Sequence, residues 1–269
     1  MAFKIGFAAE QPQEQLSATY TPPQQAATPR RSVVQVMFPN RGNRLAYYND
    51  QFDLHPGDIV FVDGKLEGQR GRVVEVSYNF KIKVSDYRRV VAVADTDVHG
   101  QFYMAGSHFV TFDPAVLPRG KVETWYMAPE NPDEYISGCD DTGFLLEDLK
   151  GFQVSEMVAE RGRKYYLENR VAYLSIDGTS GYAIVEGGSP YEVEFTYKDG
   201  EISKLVCSCF CSYNCKHEVA VLMQLRETLT LIEKNYGSKY KADGYFAAVS
   251  KSVLFSMAID SKTTGSFTL

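Results

Sequence analysis

The stretch "CSCFCSYNCKHEVAVLMQL", residues 207–225, holds four of the chain's five cysteines and one of its four histidines, all within its first eleven residues. It passes directly into apolar residues at helical spacing: Val219, Leu222, Leu225, Leu229 and Ile232 recur up to Gly237, which predicts a helix ending there. Upstream, "DGEISKLV" (199–206) follows "SPYEVEFTYK" (189–198) across Asp199-Gly200, a two-residue hairpin signal. The order is therefore hairpin, Cys-x-Cys, loop, Cys-x-His, helix.

That order suits tetrahedral zinc, which takes four N or S ligands at about 2.0–2.3 Å. Side chains alternate along an extended segment, so Cys207 and Cys209 share a face. Cys215 in the preceding loop and His217 in the first helical turn supply the other pair. Within a regular helix, positions i and i+2 face apart, so Cys215 has to lie outside it. Cys211 sits inside the spacer, and Cys209/Cys211 is a second possible first pair. We prefer Cys207/Cys209, because the alternative leaves three residues to return the chain across the metal. Reading the cysteines as small buried hydrophobes fits a lone cysteine better than this cluster.

Cys207-x-Cys209, a five-residue spacer and Cys215-Lys216-His217 resemble the SWIM zinc finger, whose pattern is Cys-x-Cys, a variable spacer, then Cys-x-His on a ββα unit. The resemblance covers about residues 155–235. "GRKYYLENRV", "GSPYEVEF" and "DGEISKLVCSC" are similar to the strands that precede the ligands in bacterial SWIM proteins, and it runs on through "CKHEVAVLMQL". It implies a structural zinc held by Cys207, Cys209, Cys215 and His217. It also implies a role in DNA binding or protein interaction rather than catalysis.

Residues 8–31, rich in Pro, Gln, Ala and Thr, read as a linker behind "MAFKIGF". From residue 33 the period changes to two. "SVVQVMF" and "HPGDIVFVDGKLEGQRGRVVEVSYNFKIKV" give short strands with turns at Asp63-Gly64, Gly68 and Asn79, which predicts a small closed β-barrel over 33–95. "GDIVFVDG…GQRGRVVEV" is weakly similar to KOW-type barrels. Residues 96–154 hold mixed signals, with one helical turn expected in "DDTGFLLEDLKGF". A second β-rich run covers 163–206, and "YFAAVSKSVLFSMAI" (245–259) reads as a further helix. The expected fold is α+β and predominantly β: the flexible segment 1–32, a barrel at 33–95, the mixed segment 96–154, and a zinc domain with C-terminal helices at 155–269.

The net charge of −6 is uneven. Residues 29–92 carry 11 Lys/Arg against 7 Asp/Glu, a net of +4, and residues 93–206 carry 9 against 20, a net of −11. A nucleic-acid surface therefore belongs on the barrel or the cysteine cluster, because the acidic middle repels phosphate. Arg30, Arg31, Arg41, Arg44, Arg70, Arg72, Lys81, Lys83, Arg88 and Arg89 surround the barrel, interleaved with Phe38, Tyr47, Tyr48, Phe61, Tyr78 and Phe80. Stacking rings in a basic groove bind single strands; the competing account puts the rings in the barrel core. Arg41, Arg44, Arg70 and Arg72, in or beside turns, are the candidate contacts to DNA or RNA. A protein partner is the alternative.

Three other groupings are weaker. Asp95, Asp97 and His99 alternate like ligands on one strand face, but charges in a solvated segment explain them. Cys139 and His108 form a conceivable nucleophilic pair without a marked third group. "GKLEGQRGR" lacks the Ser/Thr and glycine spacing of a phosphate-binding loop. The N-terminus has no sustained apolar core and no run reaches the roughly 18 apolar residues of a membrane span, so a cytoplasmic protein is expected. In a reducing compartment, clustered cysteines favour metal over disulfides.

Overall fold

Valines at period two build the first of two antiparallel sheets. The computed structural model describes residues 29–39, 42–128, 138, 142–209, 211 and 213–259. These fall into two compact units, one reaching Val93 and the other starting at Ala94. The fold is mixed α+β, with more strand than helix.

In the first unit, β1 (Ser32–Met37), β2 (Arg44–Asn49), β3 (Ile59–Val62), β4 (Arg70–Ser77) and β5 (Val90–Val93) lie in the order β2-β1-β4-β3-β5. Their inward residues Val34, Val36, Tyr47, Val60, Val62, Val73 and Val90 close on Phe38, Leu54 and Leu66. Gly64 and Gly68 turn the chain at φ +85° and +74°, a region glycine enters freely. The expected closed barrel does not form. β2 meets the opposite edge at one parallel bridge, Tyr48 to Arg89, which falls before β5 begins at Val90. Closure needs a continuous ladder of matched stagger, and four-residue β5 does not run along β2.

The second unit contains β6 (Tyr103–Ala105), β7 (His108–Thr111), α1 (Arg119–Tyr126), β8 (Phe144–Leu145), α2 (Glu156–Leu167), β9 (Val171–Asp177), β10 (Ser180–Glu186), β11 (Pro190–Lys198), β12 (Glu201–Cys207), α3 (Lys216–Asp243), β13 (Tyr245–Ser250) and α4 (Lys251–Leu254). Its eight strands run β6-β7-β13-β9-β10-β11-β12-β8. One face packs Leu174, Ile176, Ala183, Val185, Val193 and Ile202 against Val219, Leu222 and Leu225 of α3. The alternate residues are buried as well: Tyr173 and Tyr245 both donate their hydroxyls to the Leu117 carbonyl, and Trp125 of α1 is fully enclosed.

Burial of both faces explains one failed expectation. "YFAAVS" is not helical; it is β13, all six residues buried, set between β7 and β9. A strand covered on both faces loses its alternation and reads like a buried helix. Only Lys251–Leu254 and a following π-type turn at Phe255–Ile259 are helical there. "GRKYYL" is likewise the end of α2 rather than a strand. Ser155 caps that helix by accepting from Val158 N at 3.4 Å. The helical turn expected in "DDTGFLLEDLKGF" is a single 3₁₀ turn at Leu149–Gly151.

α3 continues to Asp243, but its helical geometry is interrupted at Tyr236 (φ −139°, ψ 19°), beside the Gly237 at which the apolar spacing ends. The Asp199-Gly200 turn is as expected. Both residues have positive φ, +51° and +85°, and Lys198 faces Glu201, the signature of a type I′ hairpin.

Candidate metal centre

The β11–β12 hairpin delivers the first candidate ligand. Cys207 ends β12 opposite Val193, and Ser208 extends the pairing one step by donating to the Glu192 carbonyl at 2.9 Å. Within β12, Lys204 has φ +51°, and the register against β11 shifts between Glu194 and Thr196. This bulge turns the end of the strand toward the helix that follows. Cys209 lies beyond the strand, its N–H directed at Cys207 Sγ at 3.5 Å. Cys211 N donates to the Cys209 carbonyl at 2.8 Å, which folds the loop back on itself. Asn214 Nδ2 then ties the loop to the Gln153 carbonyl at 2.8 Å.

Cys215 is the N-cap of α3, and His217 lies in the first turn. Glu218 reaches back to accept from Cys215 N at 2.7 Å, satisfying one of the helix's orphan donors. Cys215 and His217 are each 3% exposed. The imidazole stacks on Tyr191, centroids 4.1 Å apart at 19°, with Tyr165 at 5.5 Å on the ring.

Donor atoms of Cys207, Cys209, Cys215 and His217 all lie within 4.8 Å of one another. His217 Nδ1 is 3.6 Å from Cys207 Sγ and 3.7 Å from Cys215 Sγ. A tetrahedron with metal–sulfur bonds near 2.3 Å and metal–nitrogen bonds near 2.0–2.1 Å requires an S···N edge of about 3.6 Å. The donor set therefore fits a tetrahedral ion. Among the described residues, His217 Nε2 is buried without a hydrogen-bond partner. Ligating histidines usually donate that second N–H to an acceptor. Here the Tyr191 stack holds the ring instead.

The thiols of the cluster titrate together. A hydrogen bond from the Cys207 thiol is the main cause holding Cys215 down to about 4, with His217 helping. Cys207 is pushed up, first by that same bond and then by burial. Burial raises Cys209 to about 12 and Glu218 to about 8. A cluster of protein groups alone thus accommodates one thiolate. A divalent ion favours all three.

The remaining candidates fall elsewhere. Asp95 pairs with Lys121 Nζ at 3.0 Å and accepts from Asp97 N at 3.0 Å, so it sits in an ion pair. His108 is buried, with Nδ1 at 2.9 Å from Ser107 Oγ and Nε2 at 2.7 Å from the Val171 carbonyl; burial lowers it to about 4. Cys139 and Arg41 lie outside the described residues. Arg44 is exposed at the start of β2. Arg70 and Arg72 are half-buried on one face of β4, and Arg72 donates to the Gly57 carbonyl at 3.1 Å. Of the six interleaved aromatics, Phe38, Tyr47, Tyr48 and Phe61 are buried, as the core-filling account expects.

Three supports of the centre escaped the sequence reading: Tyr191, Lys204 and Glu218. Only Glu218 carried a signal, an acid three residues after the N-cap. No family model, curated protein or solved structure matches this chain. Among the described residues, no helix is long and apolar enough to cross a membrane.

Proposed function

We propose that the centre is a structural zinc site of SWIM-like type, and that the protein is a non-enzymatic interaction module binding nucleic acid or a nucleic-acid-processing complex. The observation that carries the metal assignment is the convergence of three sulfurs and one imidazole nitrogen within 4.8 Å, on a β11–β12–α3 unit. Three thiolates with one imidazole in a tetrahedron select zinc over hard cations. Bound there, zinc would supply a cross-link between strand and helix. Four protein ligands leave no open position for substrate.

Cys207 and Cys209 hold the strand end, and Cys215 and His217 hold the helix start. The Tyr191 stack fixes the imidazole, and Glu218 fixes the cap. The nucleic-acid role is supported by the SWIM-like pattern and by the net +4 of residues 29–92. The second reading, a protein adaptor, is supported by the net −11 of residues 93–206, which opposes phosphate.

Two measurements test these statements. Protein purified without added metal should contain about one zinc per chain, and a metal-free chain folded throughout would refute the site. Titration with single- and double-stranded DNA and RNA across salt concentrations should show affinity falling as salt rises. Absence of salt-sensitive binding at low ionic strength would leave the adaptor.

A further inference from the structure

The sheet topology gathers an aromatic and basic surface that the turn arginines did not indicate. β4 runs out into Tyr78, Asn79, Phe80, Lys81 and Lys83, beside the start of β1 and the end of β2, because Val33 pairs with both Ser77 and Tyr48. Phe80 is 36% exposed, and Lys81, Lys83, Arg30 and Arg31 are exposed. The Arg30 guanidinium lies 4.3 Å over the Tyr78 ring. Tyr48 meets Phe80 edge-on at 6.3 Å, and Arg89 lies 5.4 Å over Tyr48 while pairing with Asp50 at 2.8 Å. Phe80 is thus exposed and Tyr78 half-buried, and both rings have ordered support. Lys83 approaches Asp86 at 4.0 Å, with both side chains largely in water. Among the described residues, neither Arg31 nor Lys81 has an anionic partner.

We propose that this end of the sheet binds single-stranded nucleic acid, with Tyr78 and Phe80 stacking bases and Arg30, Arg31, Lys81 and Lys83 following the backbone. The assignment rests on the nucleic-acid reading above and locates it. Rings with a flanking positive track suit unpaired bases, whose faces are free. The first unit presents strands and 3₁₀ turns among its described residues, with no α-helix to enter a duplex groove. Tyr78 lies six residues along the chain from Arg72, about 20 Å at strand rise, so the two surfaces are separable by mutation.

The test uses the full-length, metal-replete chain and fluorescein-labelled dT20 and rU20, read by fluorescence anisotropy from low to moderate salt. Phe80→Ala should weaken binding about tenfold, the loss of one stacked base. Lys81→Ala with Lys83→Ala should flatten the log–log salt slope by about 1.4, roughly 0.7 per phosphate contact on a single strand. Arg70→Ala with Arg72→Ala should change neither. If the unaltered protein binds and the loop variants bind equally well, this location is wrong and the nucleic-acid reading stands. If Arg70 and Arg72 alone matter, the location is also wrong. If the unaltered protein binds neither probe, the location falls, and the reading falls with it only when duplex DNA and RNA also go unbound at low salt. Binding confined to one probe and weakened by the loop variants supports the location, and dU20 then separates the sugar from the thymine methyl.

Discussion

Gly162 of α2 lies against Val219 and Lys216 of α3, and replacing it tests how α2 supports the candidate metal centre. A Cβ built there lies 2.5 Å from Val219 Cγ1 and 2.9 Å from the Lys216 carbonyl, and it also meets Val219 Cβ. Ordinary contacts begin near 3.4 Å, and neither a β-branched Cβ nor a backbone carbonyl yields easily, so α2 must retreat by about 1 Å. Inserting a methyl into a packed contact costs about 1–3 kcal/mol, and alanine returns about 1 kcal/mol of helix propensity. With backbone on the receiving side, Gly162→Ala should lose about 2 kcal/mol, roughly a thirtyfold drop in the folded ratio. Lys216 sits between two ligands, so metal affinity should fall too. Trp125, the chain's one tryptophan, is fully buried in this unit, and its fluorescence in a urea titration reads the loss without interference from the first unit. Gly237→Ala is the control: among the described residues nothing lies within 4 Å of its Cβ position, and stability should hold or rise by up to about 1 kcal/mol. A Gly162→Ala protein as stable as its parent, with unchanged zinc affinity, would refute the α2–α3 contact described here.

Other expectations follow from the same geometry. Chelation should remove hydrogen-exchange protection from the β12 end and the first turns of α3, while the first unit, with its own core, stays protected; uniform loss would contradict this. Cys211→Ser should keep the metal and Cys215→Ser should lose it, by elemental analysis; zinc loss from Cys211→Ser alone would mean the other register. His108 binds a proton in the unfolded chain near 6.5 but in the fold only near 4, so its stabilising contribution is whole above pH 6.5 and declines as pH falls toward 4, by about 3 kcal/mol in all. Unfolding measured at pH 7.5 and pH 4.5 should show that acid sensitivity diminished in His108→Gln, and an undiminished sensitivity would assign it elsewhere.

What could be read in advance was local. The Asp-Gly turn, the paired cysteines, the Cys-x-His and the apolar spacing after it all lie within about forty residues, each enforced by its own short-range chemistry. Chain economy favoured Cys207/Cys209 over Cys209/Cys211 as the first pair, and Cys211 is exposed and lies outside the four-donor cluster. The failures involve partners distant in sequence. β13 hid its strand character because α3 and the Leu117 segment both cover it. β6 and β7 could not be placed until β13 was known to pair with β7. α2 was obscured by Tyr165 and Tyr166, a residue type common in strands, while its one clear cue, Ser155, lay just upstream. Closure of the first sheet depends on two edges meeting, which strand patterns do not encode.

β13 also sets a timetable for the chain as it is made. His108 of β7 waits for Ser250, about 140 residues later, before its pairing can form. Closing a loop of that size costs about 4 kcal/mol in chain entropy, which the pairing must offset in a single late event. Until then β7 and β9 present open edges, the groups through which nascent chains join one another. The four metal donors span only eleven residues, 207–217, and leave the ribosome before β13. With the proposed metal bound, α3 would be anchored over β9–β12 while the sheet still has a gap, holding the landing site ready for the strand that fills it.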